Sequence, residues 1–181
     1  TDGNGCTNSA TDNIEVFELP TVTFTAPADV CEDAGIIALT TGSPATGTYS
    51  GTGVSGTDFD PTTAGVGVHT ITYSYTDENG CTNSATDNIE VFELPTVTFT
   101  APADVCEDAG IITLTTGSPA TGTYSGTGVS GSGFDPATAG VGTHTITYTY
   151  SDGNGCENST TDDIEVFAKP TITFTAPTDA C

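Results

Sequence analysis

The feature that most constrains this chain is an internal repeat of 75 residues. The segment that begins at Thr1 returns at Thr76, and a third copy opens at Ser151. Residues 1–75 and 76–150 differ at only seven positions. A period this long indicates one small domain per repeat, since the coils of a β-solenoid are much shorter. We therefore expect similar modules in series, which makes the chain resemble part of a longer array.

The residues within one repeat favour strands. The chain contains 39 Thr, which alternate with Val, Ile, Phe and Tyr, the residues enriched in β-sheets. Segments 21–25 and 69–75 alternate with period two, and further strands are predicted at 36–41, 47–50 and 81–92. No segment has helical periodicity. The sequence predicts an all-β fold of tandem immunoglobulin-like antiparallel β-sandwich repeats.

Prolines mark the joints between these modules, at Leu19-Pro20, Leu94-Pro95 and Lys169-Pro170. Proline removes a ladder donor and biases the preceding residue towards extended conformations. We predict complete repeats at 20–94 and 95–169. Residues 1–19 are then the end of a truncated repeat, and residues 170–181 are the first strand of the next.

Charge excludes several classes of partner. The chain has 24 acidic side chains, one basic side chain and a net charge of -23. Such a surface cannot neutralise phosphates, so nucleic-acid binding is excluded. No apolar run approaches the roughly 20 residues that span a bilayer, and we expect no direct membrane insertion. The expected partners are neighbouring repeats of the same long chain, with self-association into filaments as a further expectation.

Several segments resemble one family of surface proteins. Gly47–Gly56, Phe59–Gly67, His69–Tyr73 and Thr76–Cys81 are similar to the immunoglobulin-like and PKD-like repeats of Bacteroidota surface proteins. This resemblance covers essentially every residue of each repeat. It implies a secreted, extracellular protein at a bacterial cell surface, within a large adhesin or a gliding or surface-filament protein. It implies no enzyme.

Six cysteines recur at alternating spacings of 25 and 50 residues, without the CxxC spacing of a zinc site. We expect structural disulfides involving Cys31, Cys81, Cys106 and Cys156. Pairing within each repeat, Cys31 to Cys81 and Cys106 to Cys156, is the first alternative. A Cys31–Cys156 bridge across the joint is the second, because the two ends of a sandwich keep the within-repeat cysteines apart. The third alternative joins Cys6 to Cys31, Cys81 to Cys106 and Cys156 to Cys181, but needs a tight reversal at Glu18-Leu19-Pro20.

Carboxylates and histidines are the other candidate functional groups. Within-repeat pairing would crowd together five carboxylates, and Ca²⁺ would relieve their repulsion, although solvated turn residues explain the same pattern. The five are Asp29, Glu32, Asp33, Asp77 and Glu78. His69 and its repeat equivalent His144 are expected to pack at a strand end. No nucleophile lies in a recognisable catalytic motif, so we expect no enzymatic activity and no firmly implied cofactor.

Two functions fit this pattern. The first is a structural stalk or spacer of a cell-surface adhesin or extracellular filament, stiffened by disulfides. The second is a repeated glycan- or cell-binding module that acts by avidity. The chain has no Trp to provide an aromatic platform for sugars, which favours the spacer.

Asn79-Gly80 between two strands additionally predicts a type I′ hairpin turn.

Overall fold

The computed structural model describes residues 1–176, which form two compact units. Unit 1 is Thr1–Val30 with Ala34–Val91, and unit 2 is Cys31–Asp33 with the chain from Phe92 onward. The elements up to Phe92 are β1 (Val30–Cys31), β2 (Ile37–Ala38), β3 (Thr48–Ser50), β4 (Val54–Ser55), β5 (Asp58–Phe59), α1 (Pro61–Ala64), β6 (Gly67–Thr76) and β7 (Thr82–Phe92). Those that follow are β8 (Val105–Cys106), β9 (Ile112–Thr113), β10 (Thr123–Ser125), β11 (Val129–Ser130), β12 (Gly133–Phe134), α2 (Pro136–Ala139), β13 (Gly142–Ser151) and β14 (Glu157–Phe167).

Strands β1 to β7 and strands β8 to β14 each form one four-stranded and one three-stranded sheet. A four-stranded sheet has the order β1-β7-β6-β3, and a three-stranded sheet has the order β2-β5-β4. The second set repeats these orders as β8-β14-β13-β10 and β9-β12-β11. Strand β13 pairs antiparallel with β14 over ten residues, and β8 joins β14 in parallel. The all-β prediction is confirmed, and two similar sheet units are present.

One apolar core lies between the two sheets of each unit. In unit 1 it is formed by Phe24, Leu39, Phe59, Ile71, Tyr73, Ile89 and Val91. Unit 2 buries the repeat equivalents of all seven. The alternation predicted for 69–75 is correct, because Ile71 and Tyr73 are buried while Thr70 points outward. Tyr73 also fixes a turn, since its hydroxyl accepts the Gly47 N–H at 2.8 Å and donates to the Pro44 carbonyl.

The predicted first strand, 21–25, is not part of a ladder. Only Thr23 forms a bridge, with Ser43, although Phe24 is buried as the alternation requires. On its other side the segment contacts β7 through side chains. Asp87 Oδ2 accepts the Ala26 N–H at 2.9 Å. Within 21–25, the Thr41 hydroxyl bonds the Thr25 backbone where a continued ladder would place backbone hydrogen bonds.

The expectation of no helix is wrong by one turn in each unit. Helix α1 begins after Asp60, whose side chain accepts the Thr62 N–H, and Pro61 occupies its first turn. An Asp cap followed by Pro is a strong helix-start signal. Four residues are too few to show helical periodicity, so the sequence contains no periodic signal for this turn of helix. Helix α2 is built in the same way on Asp135.

The two ends of the described chain lack strands. Ile14 and Val16 are 91% and 85% exposed, whereas their repeat equivalents Ile89 and Val91 are buried. No strand is formed by residues 170–176, so the strand predicted for 170–181 is absent from its described part, and 177–181 lie outside the described residues. The repeat boundaries at 20–94 and 95–169 stay a prediction.

Candidate functional site at the Cys31–Cys156 disulfide

The cysteines occupy two structural positions. Cys31 and Cys106, here called the strand cysteines, end β1 and β8 at the edge of the four-stranded sheet. Cys81 and Cys156, here called the turn cysteines, directly precede β7 and β14. The structure joins one strand cysteine to one turn cysteine, in the Cys31–Cys156 disulfide. Their Cα atoms are 5.6 Å apart, within the usual range for a disulfide.

The turn before Cys156 is held by one carboxylate. Asp152 Oδ1 accepts the N–H groups of Asn154 and Cys156, both at 2.9 Å. Gly155 has a φ of +84°, whereas Thr46 and Thr121 are the only described non-glycine residues with positive φ. The type I′ turn predicted at Asn79-Gly80 is therefore wrong, since that turn needs positive φ at both central residues and only Gly80 of the two has it. The side chain of Asp152 instead stabilises a three-residue loop that ends in a left-handed glycine.

A short connection brings Cys31 and Cys156 together within unit 2. The Glu32 N–H donates to the Phe92 carbonyl at 2.9 Å, so Cys31 lies where β7 ends. The Pro95 carbonyl, three residues after Phe92, accepts a 2.9 Å hydrogen bond from Asn158 Nδ2. Asn158 is two residues after Cys156. The Leu94 N–H between them donates to Glu32 Oε1 at 3.0 Å. The disulfide thus lies across a hydrogen-bonded connection between consecutive sequence repeats.

The preferred within-repeat pairing is not formed. Cys106 is the register partner of Phe167, at the last residue of β14, whereas Cys156 precedes the first. Eleven residues of strand separate these positions, which at about 3.4 Å per residue is roughly 37 Å. The same strand length separates Cys31 from Cys81. The observed Cys31–Cys156 bond is the second of the three pairings that the sequence left open. It was expected there because the two ends of a sandwich keep the cysteines of one repeat apart.

The other cysteines in the described chain are free thiols. Cys106 and Cys6 are exposed and Cys81 is half-buried, whereas the bonded Cys156 is fully buried. The disulfides proposed for Cys81 and Cys106 are thus not made within this chain. Cys181, and with it the third pairing scheme, lies outside the described residues.

The predicted acidic cluster does not assemble as a cation site. Asp29 Oδ1 accepts the Glu90 N–H at 2.8 Å, and Asp77 Oδ1 accepts the Asn79 and Cys81 N–H groups at 2.9 Å. Asp29 and Asp77 therefore bond backbone N–H groups at separate places in the fold. Within residues 1–176, no three His, Cys, Asp or Glu side chains are grouped so that they could hold a metal ion. The crowding that would have favoured Ca²⁺ depended on the Cys31–Cys81 pairing.

Other carboxylates clamp the first segment of each repeat to its last strand. The N–H groups of Ala26 and Asn88 hold the pKa of Asp87 below its usual value. In unit 2 the N–H groups of Ala101 and Asp163 do the same for Asp162. The Asp87 and Ala26 partners are 61 residues apart, so no local sequence pattern could reveal this clamp.

The repeated histidine has a structural role. His69 Nε2 lies 2.7 Å from the Gly65 carbonyl oxygen, just after α1. Its ring is 6.2 Å from that of Phe59, between centroids. His144 makes the same contacts with Gly140 and Phe134. These contacts agree with the predicted packing at the start of a strand.

No helix in residues 1–176 has the length and apolar character needed to cross a bilayer. The disulfide is typical of proteins that mature in an oxidising environment outside the cytosol.

Comparison of the sequence with protein-family models and with curated proteins finds no match to either. Among solved structures, the chain is similar to hemolin, an insect immune protein described as having a new domain arrangement with implications for homophilic adhesion. The identity is 14%, the TM-score is 0.30, and the match covers 84% of this chain and 46% of the hemolin chain. This chain therefore spans about half of hemolin's length. Likeness at that TM-score carries no argument about function.

Proposed function

We propose that this chain is a load-bearing spacer within an extracellular, cell-surface adhesin or filament. The observation that carries the proposal is the Cys31–Cys156 disulfide, because it joins consecutive sequence repeats across their connection. Tension applied to the chain on either side of this pair passes through the sulfur atoms. The two cysteines are 125 positions apart in the sequence, and the chain between them is excluded from that covalent path. A disulfide in this position limits extension, which is what a spacer requires.

The proposal includes a bacterial surface location and neighbouring repeats as the partners, as the family resemblance implies. It assigns no catalytic role. Two features of the fold support a passive module. Each unit buries its own apolar core. The carboxylates described above are engaged with backbone N–H groups in turns and clamps, as Asp77 and Asp152 show.

Single-molecule stretching between the chain ends tests the spacer directly. With the disulfide intact, the chain between the two cysteines, which are 125 positions apart, cannot contribute to the extended length. Reduction should add roughly 410 to 450 Å, at 3.3–3.6 Å per extended residue. Cys106→Ser serves as the control, because Cys106 is free and its loss should leave both lengths unchanged. An oxidised chain that already extends to its full length under moderate force would refute the load-bearing role.

A glycan- or cell-binding module is the second candidate. A shallow depression in unit 2, lined by Gly122, Thr123, Tyr124, Gly131 and Ser132, presents one aromatic ring beside small polar residues. A glycan array probed with the intact chain distinguishes the candidates. Binding that Tyr124→Ala abolishes would favour the module, and absence of binding would favour the spacer.

A further inference from the structure

An Asn-Gly pair recurs in the chain, each time inside the same kind of five-residue turn. The turns are residues 2–6, 77–81 and 152–156, here called the Asp2, Asp77 and Asp152 turns. The Asp2 and Asp152 turns have the same sequence, Asp-Gly-Asn-Gly-Cys, and the Asp77 turn has Glu78 in place of the first glycine. The asparagine of each turn is exposed to water, so its side-chain amide is accessible to hydrolysis.

An Asn-Gly pair can modify itself without an enzyme. The glycine nitrogen loses its proton to a base in solution and attacks the asparagine Cγ, because glycine has no side chain to obstruct the approach. A bond forms between that nitrogen and Cγ, the Cγ–Nδ2 bond breaks, and the nitrogen that leaves regains the proton as ammonia. Water then opens the succinimide ring at either carbonyl, which gives aspartate or isoaspartate. One water is consumed, one ammonia is released, and nothing is oxidised or reduced.

The Asp152 turn keeps this nucleophile occupied. The Gly155 N–H donates to the Asp152 carbonyl at 3.2 Å. Asp152 Oδ1 accepts the neighbouring N–H groups of Asn154 and Cys156, both at 2.9 Å. A base in solution can remove the Gly155 proton only after the hydrogen bond to Asp152 opens, and the attack on Asn154 then requires the backbone of the turn to rotate. The closed turn therefore opposes the reaction.

Paired strands around the Asp152 turn resist its opening. Ser151 and Glu157, on either side, are register partners at the end of the ladder between β13 and β14. Cys156 is fully buried and is bonded to Cys31. The Asp77 turn lies at the end of the corresponding ladder between β6 and β7. The Asp2 turn makes the same local hydrogen bonds, but residues 7–19 after it form no strand and are all exposed. Opening costs more free energy within paired strands than in such a segment.

We propose that Asn154 is a site of spontaneous covalent modification that the fold protects, and that Asn79 is its equivalent in the preceding repeat. The asparagine persists while its turn is closed, and it converts to succinimide and then isoaspartate from the open state. Because opening and closing are fast relative to this chemistry, the rate equals the unfolded-chain rate multiplied by the open fraction. The inference is independent of the spacer function.

Conversion at Asn154 has a structural consequence beside the disulfide. Isoaspartate routes the backbone through Cβ and Cγ, so the turn before Cys156 becomes longer by one atom. The lengthened turn cannot close on the same hydrogen bonds to Asp152. An opening that leads to conversion is therefore recorded as a permanent covalent change next to the Cys31–Cys156 bond.

Peptide mapping of the full chain tests the protection, with Asn4 as the matched control. The oxidised chain is incubated at mildly alkaline pH, and isoaspartate is located by mass spectrometry and by labelling with an isoaspartyl methyltransferase. Asn4 should convert at least about tenfold faster than Asn154, because the strands around Asn154 must open first. In urea with a reductant the two should convert at the same rate, because residues 2–6 and 152–156 are identical.

A pair of variants tests the carboxylate itself. Asp152→Ala removes the acceptor of two N–H groups and should speed conversion of Asn154 about tenfold, while Asn79 converts at the rate of the parent. Asp77→Ala should have the reverse effect. Circular dichroism, and the mass of the peptide that contains the Cys31–Cys156 bond, check that each variant is folded.

Two outcomes would overturn the inference. Equal rates at Asn4 and Asn154 in the oxidised parent would mean that the turn sequence alone sets the rate and that the fold protects nothing. A folded Asp152→Ala chain in which Asn154 converts no faster than in the parent would mean that the carboxylate does not keep the turn closed. The comparison within the parent stands even if a variant fails to fold. Neither measurement involves stretching, so failure here is distinguishable from failure of the spacer function.

Discussion

Removal of the Cys31–Cys156 bond should destabilise both units, and the repeat supplies a matched control. Cys31→Ser breaks the disulfide at its half-buried end, whereas Cys156→Ser would also place a hydroxyl where the side chain is fully buried. Cys106→Ser changes the equivalent residue, which is free, in the same local sequence. The difference between Cys31→Ser and Cys106→Ser therefore isolates the bond from the change of side chain.

The magnitude follows from chain entropy. A loop closed over the separation of 125 residues loses about 5 kcal/mol of unfolded-state freedom at 25 °C. When unit 1 unfolds alone, its released stretch Ala34–Val91 stays tethered at both ends by folded unit 2, and the same relation gives about 4 kcal/mol. For domains of this size, 1 kcal/mol moves the Tm by roughly 4–8 °C. Cys31→Ser should therefore lower the Tm of a unit by roughly 15–30 °C.

Thermal and urea denaturation followed by circular dichroism and tyrosine fluorescence measures the change. Cys106→Ser should unfold within about 0.5 kcal/mol of the parent, as most surface substitutions do. Addition of a reductant should bring the parent down to Cys31→Ser and leave Cys31→Ser unmoved. If Cys31→Ser and Cys106→Ser unfold at the same urea concentration, the bond does not restrict the unfolded chain and the reasoning fails.

Three further predictions concern unit 1. Gly47→Ala places a methyl group 2.4 Å from the ring of Tyr73 and should cost about 1–3 kcal/mol in urea unfolding, whereas Gly35→Ala meets nothing within 4 Å and should change stability by less than about 1 kcal/mol. Equal effects would contradict this packing. Tyr73→Phe leaves the Gly47 N–H without its acceptor and should cost about 1–3 kcal/mol, and no loss would mean that water replaces the hydroxyl. The pKa of Asp87 is lowered in the fold, so its contribution to stability is complete above its unfolded pKa near 3.8 and is lost as the pH falls through the lower folded pKa. Asp87→Asn should therefore be less stable than the parent at about pH 7, and the two proteins should become equally stable in acid. A difference in stability that stays constant with pH would exclude the charge as the cause.

The sequence was informative where structure depends on neighbours along the chain. Alternation of Ile71 and Tyr73 with threonines identified a long strand and its buried face, which the structure confirms. Short elements were harder, because β2, β4 and β5 have only two residues each and no period to detect. Their partners are fixed by the core residue Phe59, which pairs with both Ile37 and Val54.

The disulfide pairing depends on distances between residues that are far apart in the sequence, and local sequence patterns do not contain those distances. Cysteine spacing showed that bonds were expected and left three pairings open. The decisive fact is the length of β14, because it separates the cysteines of one repeat by the whole strand. The same strand brings Asn158 to Pro95, where the next repeat begins. Sequence alone could reveal this only if β8 were known to pair with the far end of β14.

The near-identity of the repeats bears on how the disulfide acts. None of the seven positions that differ between residues 1–75 and 76–150 is buried in the structure. The two cores thus contain the same seven side chains, and packing should stabilise both units alike. Uniform modules in series normally share a pulling force equally, and the least stable one extends first. In the proposed spacer, a covalent bridge from Cys31 to Cys156 removes that weak point for the residues between them, because unfolding there does not lengthen the chain from end to end. The strength of such a spacer would then depend on the sulfur bond and on the segments outside the loop, which are held in the two cores by residues such as Phe24 and Ile164.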